Sequence, residues 1–281
     1  MATVAVLLVA LLQDYPVKVV KDIPYYDGPD ADPKKHKLDL YLPVTDKPFP
    51  MLLWIHGGGW MIGDRSMYGG VGERFAERGF GCAVTSYRLS PGVKHPEHVR
   101  DCARAFAWVV DNAKMRGGDP DRLFVFGQSA GGHLTALLTL DHKYLEELKV
   151  PQEAIKGAIP LSGVYDIPAL QDPKQPLLTM FPKSFGSDRE VCRDASPINH
   201  LKGSTTPILV ITESDDLPVR LQMEMFKRAA EREGLKNMQF ADAANRNHLS
   251  IVLKLMGKED DPVRDRIVDF VRARCRELDG K

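Results

Sequence analysis

The sequence predicts one α/β domain: a mainly parallel, eight-stranded sheet with helices on both faces and a small lid-like insertion. Three observations carry this. From residue 16 onward, short β-branched or apolar runs alternate with longer amphipathic segments, the rhythm of strand–helix units that feed a parallel sheet. Several runs, such as Leu123-Phe124-Val125-Phe126 and Ile208-Leu209-Val210-Ile211, are continuously apolar, as strands buried on both faces must be. Two runs lead straight into glycine-rich turns, where open α/β sheets place their ligands.

Taken in order, strands are expected at 17–23, 37–42, 51–56, 81–85, 123–127, 157–161, 208–212 and 238–241. The helix expected over 97–115 places Val99, Cys102, Ala103, Phe106, Val110 and Ala113 on one face. Helices over 218–233 and 262–278 each open on a proline, whose missing N–H is harmless in a first turn. Gly234 supplies a C-terminal stop for the former. Shorter helices are expected over 132–140 and 249–256. Between 162 and 206 the periodicity fails, and Pro168, Pro173, Pro176, Pro182 and Pro197 mix with Leu177, Leu178, Met180, Phe181 and Phe185. A long irregular stretch carrying large apolar side chains predicts a packed lid.

The chain has 281 residues, enough for one large domain. Lys plus Arg and Asp plus Glu both number 38, so the net charge is zero. That argues against nucleic acid and against polybasic membrane attachment, which rest on surplus positive charge. Cys82, Cys102, Cys192 and Cys275 form no Cys-x-x-Cys pair, and Cys82 and Cys102 are expected as buried thiols. Residues 1–15 stand apart from the 16–281 domain. Their apolar run is too short to span a bilayer; a truncated export signal and an N-terminal packing helix both fit it, and the reading leans slightly to the former, and so towards export.

The chemistry concentrates in three places. Gly127-Gln128-Ser129-Ala130-Gly131 lies between a buried strand and a helix, the setting of a nucleophile elbow that lifts Ser129 above the sheet. A serine hydroxyl needs a base. Of eight histidines, His248 is chosen because it sits in a polar loop after the last strand. His36, His95, His98 and His142 are expected on solvated surfaces, and His133 rides the helix behind the serine. The strand at 208–212 runs into Glu213-Ser214-Asp215-Asp216, three carboxylates at the correct sheet edge to orient the imidazole. Finally, His56-Gly57-Gly58-Gly59-Trp60 follows another strand. Its glycines can curl successive N–H groups toward one point, with the Ala130 N–H completing an oxyanion hole.

Together these motifs resemble α/β hydrolases of the hormone-sensitive-lipase-like carboxylesterase type, related to bacterial feruloyl-esterase-like and kynurenine-formamidase-like esterases. His56-Gly57-Gly58-Gly59-Trp60 is similar to the family's His-Gly-Gly-Gly motif, and Gly127 to Gly132 to its elbow. Tyr87-Arg88-Leu89-Ser90-Pro91, with His95-Pro96 and Asp101, is similar to its Tyr-Arg-Leu-Ala-Pro stretch. The resemblance, over about 37–256, implies an α/β-hydrolase fold, a Ser–acid–His order and Gly58, Gly59 and Ala130 as oxyanion donors. The family's usual Gly-x-x-Asp loop aligns Asp216 with the acid, ahead of Asp215, with Glu213 third at the glycine position. No N-terminal helical cap is evident, so any lid comes from 162–206.

The expected function is a serine hydrolase of short-chain carboxylic esters acting through an acyl-enzyme. Alternatives on the same triad are a formamidase or amidase and a feruloyl or acetyl-xylan esterase. A non-catalytic binding protein is the reading from another class. Trp60 is expected to contact substrate. The partner is a small-molecule ester. No cofactor or metal is implied, since His-x-x-x-His is missing and the acidic turns 30–32 and 259–261 read as solvated.

Overall fold

A computed structural model describes residues 14–170 and 180–280. The apolar run read as a signal remnant, and the part of the insertion holding Leu177 and Leu178, lie outside the described residues. The eight strands are β1 (Val17–Pro24), β2 (Lys37–Pro43), β3 (Phe49–Ile55), β4 (Gly81–Thr85), β5 (Gly118–Gln128), β6 (Ile155–Leu161), β7 (Ile208–Glu213) and β8 (Met238–Ala243). They form one sheet in the order β1-β2-β4-β3-β5-β6-β7-β8. The pairs β1–β2 and β2–β4 are antiparallel and the remainder parallel. Each expected strand is present. β5 starts five residues early, because polar Gly118–Arg122 extends it beyond the apolar run.

The helices among the described residues are α1 (Gly69–Glu77), α2 (Glu97–Asn112), α3 (Ala130–Leu140), α4 (Lys143–Glu146), α5 (Met180–Phe185), α6 (Arg189–Asp194), α7 (Leu217–Arg232), α8 (Ser250–Met256) and α9 (Pro262–Asp279). The strand pleat divides the core in two. Met51, Leu53, Leu123, Val125, Ile208 and Val210 face the layer containing α2, α3 and α7. Leu52, Trp54, Phe124, Phe126, Leu209 and Ile211 face the layer of α1, α8 and α9. All four cysteine side chains are buried.

Four helices were not expected. α1 begins Gly-Gly-Val-Gly, a poor helix former on propensity. It forms because Val71, Phe75 and Ala76 pack fully buried against the sheet. α4, four residues long, and α5 and α6, six residues each, are too short for a visible period. Within the insertion, Phe181 and Phe185 are buried and belong to the same core as Trp60 and Ala195.

The solvated histidines are the main correction to the fold-level reading. His36, His95 and His98 are buried, and only His142 is exposed. His36 Nδ1 accepts from the Asp32 N–H, which turns Nε2 to lie 2.9 Å from Asp101. Asp101, fully buried, also receives Arg88 bidentately, Nε to Oδ2 at 2.9 Å and Nη2 to Oδ1 at 2.8 Å. The Arg88 and Asp101 of the Tyr-Arg-Leu stretch are thus a brace between the strand β4 exit and α2. His98 Nε2 bonds Ser90 Oγ at 3.0 Å, and His95 Nε2 meets Asp194 of the insertion at 2.9 Å.

Candidate active site

The carboxyl ends of β3, β5, β7 and β8 converge on Ser129. At the β5 exit, Ser129 takes φ +59°, and its N–H donates to Leu161 O on β6 at 2.9 Å. The turn is tight enough that a Cβ on Gly131 would stand 2.0 Å from Ile55 O, so only glycine fits there. Ser129 is therefore held up at the N-terminus of α3, half-buried and reachable.

Across the sheet edge, His248 Nε2 lies 2.8 Å from Ser129 Oγ. Its Nδ1 lies 2.6 Å from Glu213 Oε1, the last residue of β7. A carboxylate can only accept, so Nδ1 carries the proton and Nε2 is left free to take one from serine. Gln128, not singled out from sequence, ties the two loops by donating Nε2–H to His248 O at 3.0 Å.

The carboxylate bonded to the imidazole is Glu213, which corrects the expectation of Asp216. The reason is local. Asp216 occupies the N-cap of α7 and accepts the Val219 N–H, with Pro218 following in the first turn. Glu213, fully buried at the strand end, has the extra methylene needed to reach the imidazole from there. Its second oxygen accepts the Ser162 hydroxyl. Asp215 is exposed and bonds Ser214. Oxygens of Glu213 and Asp216 and a ring nitrogen of His248 all lie within 4.8 Å of one another, so Asp216 still contributes its charge.

Electrostatics follow this geometry. Burial opposes a charged His248, but the Glu213 hydrogen bond and charge, helped by Asp216, outweigh it and raise its pKa. Burial also opposes ionisation of Glu213, and the bonds from His248 and Ser162 reverse that, holding it below the usual carboxylate range.

Behind Ser129, the loop after β3 carries Gly58 at φ +117°, Gly59 at +59° and Trp60 at +59°. A Cβ on Gly58 would lie 2.1 Å from Ile62 O, so this turn also requires glycine. Among the described residues, no acceptor takes the N–H of Gly58, Gly59 or Ala130, which leaves three donors open beside the serine. His56 stiffens the loop. It stacks between Tyr68 and Tyr87, its Nδ1 meets Gly57 O at 2.6 Å, and burial lowers its pKa to about 4, keeping it neutral.

Trp60 does not face the cleft. It is 2% exposed, packs on Phe181 and Phe185, and donates its indole N–H to His133 Nδ1 at 3.3 Å. His133, kept neutral by burial with a pKa of about 3, bonds Ala195 O of the insertion through Nε2 at 2.7 Å. The expected substrate contact is thus a post on which the insertion rests.

A second cluster, Asp141, Asp194 and His200, also brings three possible ligand atoms within 4.8 Å. Lys143 already fills it, its ammonium paired with both aspartates.

Comparison with known proteins agrees with this architecture. The BD-FAE family model matches residues 38–227. The chain is 32% identical over 183 residues to the probable carboxylic ester hydrolase LipM of Mycobacterium tuberculosis, covering 62% of this chain and 42% of LipM. It is 30% identical over 240 residues to esterase LipQ of the same organism, covering 81% and 56%. The chain spans about half the length of the curated relatives it matches. Esterase B from Lactobacillus rhamnosis superposes with a TM-score of 0.78 at 21% identity, covering 94% of this chain and 88% of that one. This chain therefore belongs to the BD-FAE family and has the α/β-hydrolase fold.

Proposed function

We propose that the chain is a serine carboxylesterase that cleaves esters of small acyl groups through an acyl-enzyme. Ser129 Oγ attacks the ester carbonyl carbon while its proton passes to His248 Nε2. Glu213 stabilises the resulting imidazolium at Nδ1. The carbonyl oxygen, now an oxyanion, accepts from the N–H groups of Gly58, Gly59 and Ala130. Collapse expels the alcohol, which takes the Nε2 proton and leaves the acyl group on Ser129. Water, deprotonated by the same nitrogen, attacks that ester, and the proton returns to Ser129 as the carboxylic acid departs.

The observation that carries this reading is the continuous relay, 2.8 Å from Ser129 Oγ to His248 Nε2 and 2.6 Å from His248 Nδ1 to Glu213. The names of LipM and LipQ, an ester hydrolase and an esterase, agree with it. The preference for a small acyl group is part of the proposal, and the substrate series decides it. No helix among the described residues is long and apolar enough to cross a membrane.

The test is the initial rate on p-nitrophenyl acetate, butyrate, octanoate and laurate, with Ser129→Ala as the blank and a fluorophosphonate probe in parallel. Rates should peak at acetate or butyrate and vanish in the variant. Probe labelling of Ser129 without ester turnover would point to an amide or formamide substrate. Absence of both would make the chain a binding protein.

A further inference from the structure

We infer that Ser162 is a positioning residue of the catalytic site, holding Glu213 so that a glutamate at the end of β7 can serve as the acid. This rests on the esterase reading above and concerns a residue outside the triad.

Ser162 follows β6, the strand between the one that delivers the nucleophile and the one that delivers the acid. Two consecutive residues there hold both. Leu161 O accepts the Ser129 N–H at 2.9 Å, and the Ser162 N–H donates to Ile211 O on β7 at 2.8 Å. The Ser162 hydroxyl then donates to Glu213 Oε2, the oxygen not used by His248. Ser162 and Glu213 are both fully buried. A carboxylate without water needs each oxygen paired, and here each has one side-chain donor, His248 on one side and Ser162 on the other.

The backbone supplies an independent sign. Ser162 sits at φ +50°, in the left-handed region that favours glycine. A non-glycine residue kept there, with its side chain aimed at the triad acid, indicates that the hydroxyl is required. The hydroxyl fixes the direction of the carboxylate. It also spreads the negative charge over two bonds, so that the His248–Glu213 pair does not hold a proton too tightly at rest.

The test compares Ser162→Ala with Ser162→Gly, the second of which relieves the backbone while also lacking the hydroxyl. Rates are read as kcat and KM for p-nitrophenyl acetate across pH. Without the donor, Glu213 is more basic, so the pair binds its proton more tightly and the acid limb of kcat/KM moves to higher pH. Both variants should lose roughly 10-fold or more in kcat at nearly unchanged KM, a loss of the size expected for a general-base step that is misaligned. Their acid limbs should rise by about half a unit or more. In a Glu213→Gln background, Ser162→Ala should cost almost nothing further, because the two act through one bond.

Wild-type kcat and an unmoved acid limb in Ser162→Gly would overturn the inference, as would a full additional loss in the double variant. A lower amplitude with an unmoved limb would also overturn it, since that is the mark of a purely structural role. If Ser162→Ala fails to fold, the glycine variant decides alone. Failure of the esterase reading looks different, because the wild-type protein would then show no Ser129-dependent turnover.

Discussion

Replacing Glu213 by Gln distinguishes the two candidate acids. The amide is nearly isosteric with the buried carboxylate and can still accept from Ser162, so the fold should survive. What disappears is the negative charge 2.6 Å from His248 Nδ1 when that ring becomes an imidazolium. In the serine-protease triad the corresponding change costs about 10⁴ in kcat, roughly 5 kcal/mol. Here Asp216 keeps a second carboxylate within 4.8 Å. At an effective dielectric near 20, a charge about 5 Å away is worth at most ~3 kcal/mol, and less once solvent screens this half-exposed loop. The expected loss for Glu213→Gln is therefore about 10³ in kcat/KM, or ~4 kcal/mol. Asp216→Asn removes the other charge while keeping an N-cap as good as aspartate. It should cost less than about tenfold and move the acid limb slightly down, because one of the charges raising the His248 pKa is gone. The assay is kcat/KM for p-nitrophenyl acetate from pH 5 to 9, each rate corrected by Ser129→Ala. A larger loss in Asp216→Asn than in Glu213→Gln would refute the assignment and return the acid to the loop.

Two further variants test the frame around the site. Asp101→Asn should cost about 3–5 kcal/mol in urea unfolding, because it leaves Arg88 and His36 facing a buried neutral amide. Although burial works against its charge, the bonds from His36 and Arg88 hold the Asp101 pKa at about 2 against an ordinary 3.8. That depression contributes about 2 kcal/mol, present above pH 4 and lost as pH falls toward 2, so wild-type stability should fall more steeply than the variant's over that range. Trp60→Phe removes the donor to His133 Nδ1 and should cost about 1–3 kcal/mol with KM unchanged. A several-fold rise in KM at unchanged stability would restore Trp60 as a substrate contact.

The fold was legible where burial writes a local pattern. Strands such as β5 and β7 are covered on both faces, so their apolar runs are unbroken, and α7 and α9 announce themselves with a proline in the first turn. α1, α5 and α6 were not legible because tertiary packing, through Phe75 or Phe185, and not local propensity, makes them helical. The site divides the same way. Ser129 and the glycine loop sit at strand ends inside short motifs, so their place at the sheet edge was readable, whatever their role. The choice among carboxylates was not, because it depends on which oxygen reaches across from β7 to the β8 loop. One signal was available: Asp216-Leu217-Pro218 has the form of a helix N-cap, which already employs that aspartate. Trp60 was misjudged because a position beside the glycine loop says nothing about which way a side chain faces when the backbone takes φ +59°.

The histidines differ in how well each ring suits the role of base proposed for His248. His56, His98 and His133 are stripped of water, and burial drives their pKa values to about 4, 4 and 3. They are neutral hydrogen-bonding struts: His56 within the glycine loop, His98 against Ser90, His133 between Trp60 and the insertion. None has a directly bonded carboxylate to stabilise an imidazolium. His248 is 40% exposed at its side chain, bonded to a buried carboxylate on one nitrogen and to the serine hydroxyl on the other. Its pKa therefore moves up while theirs move down. Desolvation acts on all of these rings in the same direction, and the sign of each shift is decided by whether a carboxylate is there to oppose it. Proximity to Ser129 along the chain would have selected His133; the ability to carry a proton selects His248.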